Sequence, residues 1–222
     1  MIIIYSLYIY NLNQLKIRLQ LRDKIARDLH DDIGSSLSGI NIFSRIALQK
    51  VGSNKPGSRE LLEKISERSE KTLDALSDIV WSINTRNDSI DNFLWKLREF
   101  LSEMLEPLDI KYVLTVEKEI ENLKLGMIAR KELYLIGKEA ICNAAKYAHC
   151  SAVQIGLSRY KNTCTLTISD DGNGFDVNTF STGNGIFNMK QRAKKINGTI
   201  SIESKPGSGT LITVSFPIPR FR

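Results

Sequence analysis

Apolar side chains in the first half of the chain recur at helical spacing. Leu12, Leu15, Leu19, Ala26, Leu29, Ile33, Ile40, Phe43 and Ala47 lie on one track of alternating three- and four-residue steps, which Arg22 and Ser36 complete. No proline interrupts it. The spacing predicts one long helix over the first fifty residues, with a heptad seam of the kind that packs helices into bundles. "GSNKPGS", Gly52 to Ser58, ends that helix, because Gly, Asn and Pro punctuate and Ser58 can cap the next one. Leu62, Ile65, Ser69, Thr72, Leu76, Ile79 and Ile83 then repeat the same steps. Two such helices joined by a short loop form an antiparallel hairpin. A lone hairpin cannot bury both seams, whereas two copies forming a four-helix bundle can. The alternative is a monomer whose hairpin packs on the second half.

"NTRNDSIDN", Asn84 to Asn92, is polar and reads as a linker, and beyond it the period changes. Phe93 to Glu106 has the pattern of an amphipathic helix stopped by Pro107, and "DIKYVLTVEKE" alternates as a strand does. Met127 to Ala148 reads as helix. "AVQIGLSRY" and "TCTLTISD" read as strands separated by Lys161 and Asn162. Ile186 to Ile196 reads as a short helix, and "GTISIES" and "GTLITVSFP" as a final strand pair around "KPGSG". The expected class is α+β: a helical hairpin, then helices layered on a mixed sheet whose last four strands are antiparallel neighbours. The expected layout is an apolar segment at 1–11, the hairpin at 12–83, the linker at 84–92 and a second domain at 93–222.

Composition changes this picture only at its margins. The 222 residues suit one large domain or two small ones, and 42% hydrophobic with 25% charged content is ordinary globular material. The net charge of +6 contains no run of five like charges, so direct nucleic-acid binding is not expected. Cys142, Cys150 and Cys164 are an odd number without C-x-x-C, which argues against a disulfide framework and a zinc site and fits a reducing compartment. Cys142 and Cys150 read as buried small residues. The start, "MIIIYSLYIY", is far shorter than the roughly 20 residues that span a bilayer. With Lys16, Arg18 and Arg22 following, it reads either as the cytoplasmic end of a membrane helix or as an apolar helix start that packs on a partner.

Candidate chemistry concentrates in the second half. "DDGNGF" holds Asp170, Gly172 and Gly174 at a strand end, where a plain turn is the simple alternative. Gly183 and Gly185 open a helix in "TGNGIFNMKQRA"; glycine lets backbone amides approach a ligand, and a helix N-terminus suits phosphate. "GSGT", Gly207 to Thr210, is a third glycine loop that alone reads as a hairpin turn. Upstream, Glu139, Asn143 and Lys146 share one helix face at spacings of four and three. A carboxylate and an amide oxygen are hard donors that Mg²⁺ accepts alongside phosphates, and lysine meets phosphate as a point charge. A solvated face would explain Glu and Lys but explains Asn143 poorly. Lys190 and Arg192 read as solvated surface cations, and His149 as a residue that ends its helix.

Taken together, Glu139–Asn143–Lys146, Asp170-x-Gly172-x-Gly174, Gly183-Asn184-Gly185 and Gly207-Ser208-Gly209-Thr210 resemble, in order, the four nucleotide-binding boxes of the GHKL superfamily. The resemblance implies an α/β sandwich that binds ATP and Mg²⁺. Asp170 would take the adenine amino group, Asn143 with Glu139 would hold the metal, and residues 175–182 would form a lid. Lys146, Gly172, Gly174, Gly183, Gly185, Gly209 and Thr210 would line the nucleotide. The first half, "RDKIARDLHDDIGSSLSGI", is similar to the dimerisation and phosphoacceptor helix of bacterial sensor histidine kinases with the H-D-x-x-G-x-x-L pattern, which His30, Asp31, Gly34 and Leu37 fit. Trp81 in "DIVWSIN" agrees with it.

That family's chemistry suits these residues. Histidine titrates near 6.5, so much of it is neutral at pH 7 and has a free lone pair for attack. Asp31 would accept a hydrogen bond from the other ring N–H, fix the tautomer and stabilise the forming cation. His30 lies one position off the Leu29–Ile33 seam, while Asp32 points about 100° further round the helix and reads as solvated. The resemblance implies a homodimer that phosphorylates His30 and passes the phosphoryl group to a response regulator with a helix-turn-helix output domain. It would work at the cytoplasmic side of the inner membrane, or in the cytoplasm. The rivals are a protein-serine kinase or a silent nucleotide-binding dimeric scaffold of the same superfamily. Members of this group that dephosphorylate their partner often carry glutamine five residues after the histidine, where this chain has Ser35. A hydroxyl reaches less far than an amide, so weak or absent phosphatase activity is expected. Decay of the phosphorylated partner should be no faster with this protein present, and a Ser35-dependent, ADP-stimulated acceleration would contradict that.

Overall fold

The computed structural model describes residues 5, 8–9, 39–47, 58–84, 89–120, 123–177 and 184–218. Seam positions 12–36 with His30, Asp31 and Ser35, the turn at 52–57, and Gly183 lie outside the described residues. The chain divides into two compact units, Met1–Trp81 and Ser82–Arg222.

The first unit contains helical residues 39–47 (α1) and most of α2, Ser58–Ile83. On α1, Ile40 and Phe43 are half-buried and Ala47 is buried, whereas residues 41, 42, 45 and 46 are exposed. On α2, Thr72 and Ile79 are buried and Ile65, Ser69 and Leu76 half-buried. The heptad spacing thus selects the inward face in both helices. Leu62 departs from it and is exposed. The seam tolerates hydroxyls because each is satisfied one turn back: Ser69 donates to the Ile65 carbonyl at 2.8 Å and Thr72 to that of Arg68 at 2.6 Å. The Arg68 guanidinium lies 5.1 Å from the Phe43 ring centroid and joins the two helices.

The second unit is a five-stranded sheet covered on one face by helices. Its strands are β1 (Lys111–Val116), β2 (Ala152–Tyr160), β3 (Thr163–Asp170), β4 (Thr199–Ser204) and β5 (Thr210–Pro217), in the order β1-β2-β3-β5-β4. β1 runs parallel to β2, and all other pairs are antiparallel. A parallel neighbour needs a crossover, which α4 (Met127–Asn143) supplies. Period-two alternation buries Val153, Ile155, Leu157, Cys164, Leu166, Ile168, Ile212, Val214 and Phe216. α3 (Ile90–Leu105) packs on β1, α4 on β3 and α5 (Asn184–Lys195) on β4. Phe93, Leu97, Leu101, Leu133, Ile136, Ile141 and Met189 complete this core.

Three local features differ from the sequence reading. α3 starts three residues before Phe93, because Ser89 takes an extended conformation and its side chain accepts from the Asn92 N–H. α4 is regular only to Asn143, after which Ala144–Ala148 form one π-helical turn closed by His149 at φ 51°. Arg130, fully buried on α4, was not marked by any periodicity. It donates to the carbonyls of Ser82 at 2.5 Å, Asn84 at 3.1 Å and Leu125 at 3.4 Å. Ser82 lies in the last turn of α2, where carbonyls lack helical partners and a cation meets the helix dipole favourably. Among the described residues no helix is long and apolar enough to cross a membrane.

Candidate functional site

Asp170 is the last residue of β3 and pairs with Val153 on one side and Thr210 on the other. Its carboxylate accepts from the Gly172 N–H at 2.9 Å, an Asx turn that ends the strand. Burial pushes the Asp170 carboxyl above its ordinary value, against the hydrogen bonds from Gly172 and Thr210. Asp171 behaves oppositely. Its carboxylate accepts from the Ser151 hydroxyl at 2.5 Å and from the Ser151 and Ala152 amides at 2.8 and 2.9 Å, and these bonds, led by the hydroxyl, hold it below the usual carboxylate range. So Asp171 fastens the end of β3 to the start of β2. Asp170 lines an open cleft of about 480 Å³ together with Val177, Ser204, Lys205, Ser208 and Thr210.

The glycines around this carboxylate are explained first by protein backbone. A Cβ on Gly172 would overlap the Ala148 carbonyl, whose oxygen also accepts from the Asn173 N–H at 2.7 Å. Gly174 has φ 57°, and a Cβ there would overlap the Lys205 carbonyl and stand 2.7 Å from the Gly209 oxygen. Gly209, at φ 70°, presses on the Asp170 carbonyl. The Gly207 N–H donates to the Asn173 oxygen at 2.5 Å. Ser204, which sequence reasoning passed over, accepts from the Phe175 N–H and donates to the Gly209 oxygen, both at 2.9 Å. The end of the α4 segment, the Asp170 loop and the last glycine loop are therefore one interlocked piece of chain.

The remaining candidates gather on α4 and α5. Glu139 and Asn143 are half-buried one turn apart, and Lys146 is exposed in the π-helical turn. Gly185, in the first turn of α5, lies against Glu139 so closely that a Cβ would overlap its Oε1. Among the described residues no group of three or more His, Cys, Asp or Glu could hold a metal. Glu139 and Asn143 are two hard donors, which suits Mg²⁺, since it takes one or two protein ligands plus phosphate and water.

Arg192 corrects an expectation. It is not a merely solvated cation but pairs at 3.1 Å with Glu132, whose side chain is only 3% exposed, and Lys195 stands 3.5 Å from the other oxygen. A carboxylate buried to that degree requires a charge partner. The signal was present, since Glu132 precedes Glu139 by two helical turns and shares its face. Lys190 is exposed, as expected, and so is His149. Cys142 and Cys150 are half-buried rather than buried, because they lie at the end of α4 and past its π-helical turn. Cys164 is buried on the inner face of β3, and burial pushes its thiol up to about 12.

The geometry separates two glycines of one loop. Gly207 has φ 80° with nothing within reach of an added Cβ, whereas Gly209 faces the Asp170 carbonyl. Gly207→Ala should cost only the left-handed strain, about 1–2 kcal/mol. Gly209→Ala should cost clearly more, because backbone must move as well. Urea denaturation of both variants checks this, and equal losses would contradict it.

Two family models match the chain. One, described as histidine kinase, covers residues 22–88, and one described as histidine kinase-, DNA gyrase B-, and HSP90-like ATPase covers 129–220. The sensor histidine kinase DesK of Bacillus subtilis is 28% identical over 90% of this chain and 52% of its own length. The sensor protein VraS of Staphylococcus epidermidis is 28% identical over 94% of this chain and 60% of its own. The chain thus spans between half and three fifths of the curated relatives it matches. Among solved structures, the Acinetobacter baumannii histidine kinase AdeS aligns with a TM-score of 0.58 at 17% identity, covering 82% of this chain and 96% of that one. The histidine kinase domain of the Erythrobacter litoralis EL346 blue-light activated kinase aligns with 0.53 at 13%, covering 88% and 94%. These confirm the fold, a helical part followed by a GHKL-type ATPase layer. Each half of the chain thus matches a family model described for histidine kinases, and along nearly its whole length the chain is similar to bacterial sensor histidine kinases.

Proposed function

We propose that this chain is a kinase core that binds Mg·ATP, phosphorylates His30 and passes the phosphoryl group to an aspartate of a response-regulator receiver domain. The observation that carries the reading is the Asp170 carboxylate, held at a strand end by Gly172 and Thr210 and opening on a cleft beside a glycine-interlocked loop. A fixed carboxylate is an acceptor for the adenine amino group. Glu139 and Asn143 would hold Mg²⁺, which when bound neutralises phosphate charge. Lys146 and the first amides of α5, with Gly185 and Gly183, would meet the phosphates.

At His30, one imidazole nitrogen attacks the γ-phosphorus. The bond from that phosphorus to the β–γ bridging oxygen breaks, and ADP leaves. Asp31 accepts a hydrogen bond from the other ring N–H and stabilises the positive charge that develops. The active species is a homodimer, and the exposed Leu62, Leu73 and Val80 of α2 are apolar positions that a second copy would cover. The site faces the cytoplasm, and the N-terminal segment offers a contact with the membrane. The regulator carries a helix-turn-helix output domain, and the kinase itself makes no contact with DNA.

Incubation with γ-labelled ATP and Mg²⁺ tests the reading. An acid-labile, alkali-stable label should appear on the protein, and His30→Ala should abolish it. Asp170→Asn should weaken ATP binding by about 10- to 100-fold, the worth of a hydrogen bond to a charged group. A label that survives His30→Ala would point to another acceptor.

A further inference from the structure

α4 and α5 run antiparallel and pack along each other, and two of their contacts involve acidic residues of α4. At one, Glu132 on α4 takes Arg192 and Lys195 of α5. At the other, Glu139 on α4 lies against Gly185 of α5. The two contacts are seven residues apart on α4 and seven residues apart on α5. At 1.5 Å per residue that is about 10.5 Å along each axis. Identical spacing means that the helices stay in register over two turns, so that one antiparallel alignment satisfies both contacts.

The Glu132 contact is the one able to set that register. Its side chain is 3% exposed and engages two cations, one through each oxygen. Sliding α5 by one residue along α4 would strand the buried carboxylate, which the interior penalises strongly. Gly185 contributes closeness but no attraction: without a Cβ it lets Glu139 approach the first turn of α5. That turn presents N–H groups without helical partners. Asn143 follows Glu139 by one turn on the same face. What Glu132 fixes at one end of α5 therefore decides, at the other end, how its first amides stand against Glu139 and Asn143.

We propose that Glu132 is a positioning residue for the polyphosphate: through Arg192 and Lys195 it sets the register of α5 on α4 and so holds the amides at the start of α5 beside Glu139 and Asn143. The proposal rests on the nucleotide-binding reading above. It separates two parts of one ligand. The adenine end is held by Asp170, which is fastened by Gly172, Thr210 and the last glycine loop, none of them on α5. The phosphate end depends on α5. Loss of the Glu132 pairing should therefore weaken phosphate recognition and leave adenosine recognition intact, whereas general loosening of the unit would weaken both.

The experiment is calorimetric titration of the full chain with adenosine and, separately, with a non-hydrolysable Mg·ATP analogue. Wild type, Glu132→Gln and Arg192→Gln are compared, with thermal unfolding of each as a control. The expected result is an analogue affinity about tenfold lower in Glu132→Gln, from the loss of fixed amide donors to the phosphates, with adenosine affinity within about twofold of wild type. Arg192→Gln should show the same selectivity to a smaller degree, since Lys195 remains. That half-exposed position keeps the test decisive if Glu132→Gln does not fold. Equal weakening of both ligands, or no change in either, would overturn the proposal. A wild-type protein that binds neither ligand would instead overturn the nucleotide-binding reading.

Discussion

Carbonyl oxygens of Ala148, Asp170, Lys205 and Gly209 occupy the space where side chains of Gly172, Gly209 and Gly174 would begin. This backbone-on-backbone contact brings three distant stretches of chain to one place. Hydrogen bonds then lock it: Asn173 to Ala148, Gly207 to Asn173, and Ser204 between Phe175 and Gly209. Asp170 inherits a fixed position because both of its flanks are fixed. A carboxylate held this way needs no reorganisation to accept a ligand donor, which is what preorganised recognition requires.

α4 links that loop cluster to the rest of the second unit. Its Leu133, Ile136, Ala140 and Ile141 enter the core, and its Glu132 and Glu139 face α5. Its far end becomes a π-helical turn, and Ala148 in that turn is the residue on which Gly172 and Asn173 rest. One element thus carries the hydrophobic attachment to the sheet, the ion pair to α5 and the seat of the Asp170 loop. At its start Arg130 binds the carbonyls of Ser82 and Asn84, so the residues that open the second unit are held by the same helix.

Much of this was legible because period-two and heptad patterns are local. β2 and β3 begin and end where alternation and Lys161–Asn162 put them, and the described end of the α1 seam faces inward. Sheet order was less legible: that β3 pairs with β5 and not with β4, and that β1 runs parallel to β2, depends on how the helices cross, which no strand sequence contains. The candidate site residues were legible as types and spacings, whereas their contacts within the chain were not. Gly172, Gly174 and Gly209 read from the sequence as turn glycines that the resemblance places along a nucleotide, and within the chain each faces a backbone carbonyl. Ser204, Asp171, Arg130 and Glu132 act through partners 29, 20, 48 and 60 residues away, and only the folded chain brings these together. Arg192 read as solvated because its partner sits on another helix.

Hydrogen exchange of the intact protein, with and without a saturating non-hydrolysable Mg·ATP analogue, tests the central claim most directly. If the interlocked loops and the two facing helices form one nucleotide site, protection should rise together in residues 139–146, 170–175, 184–187 and 204–210. It should leave β1 and α3 unchanged. Protection confined to a single one of these segments, or located on β1 and α3 instead, would contradict the account.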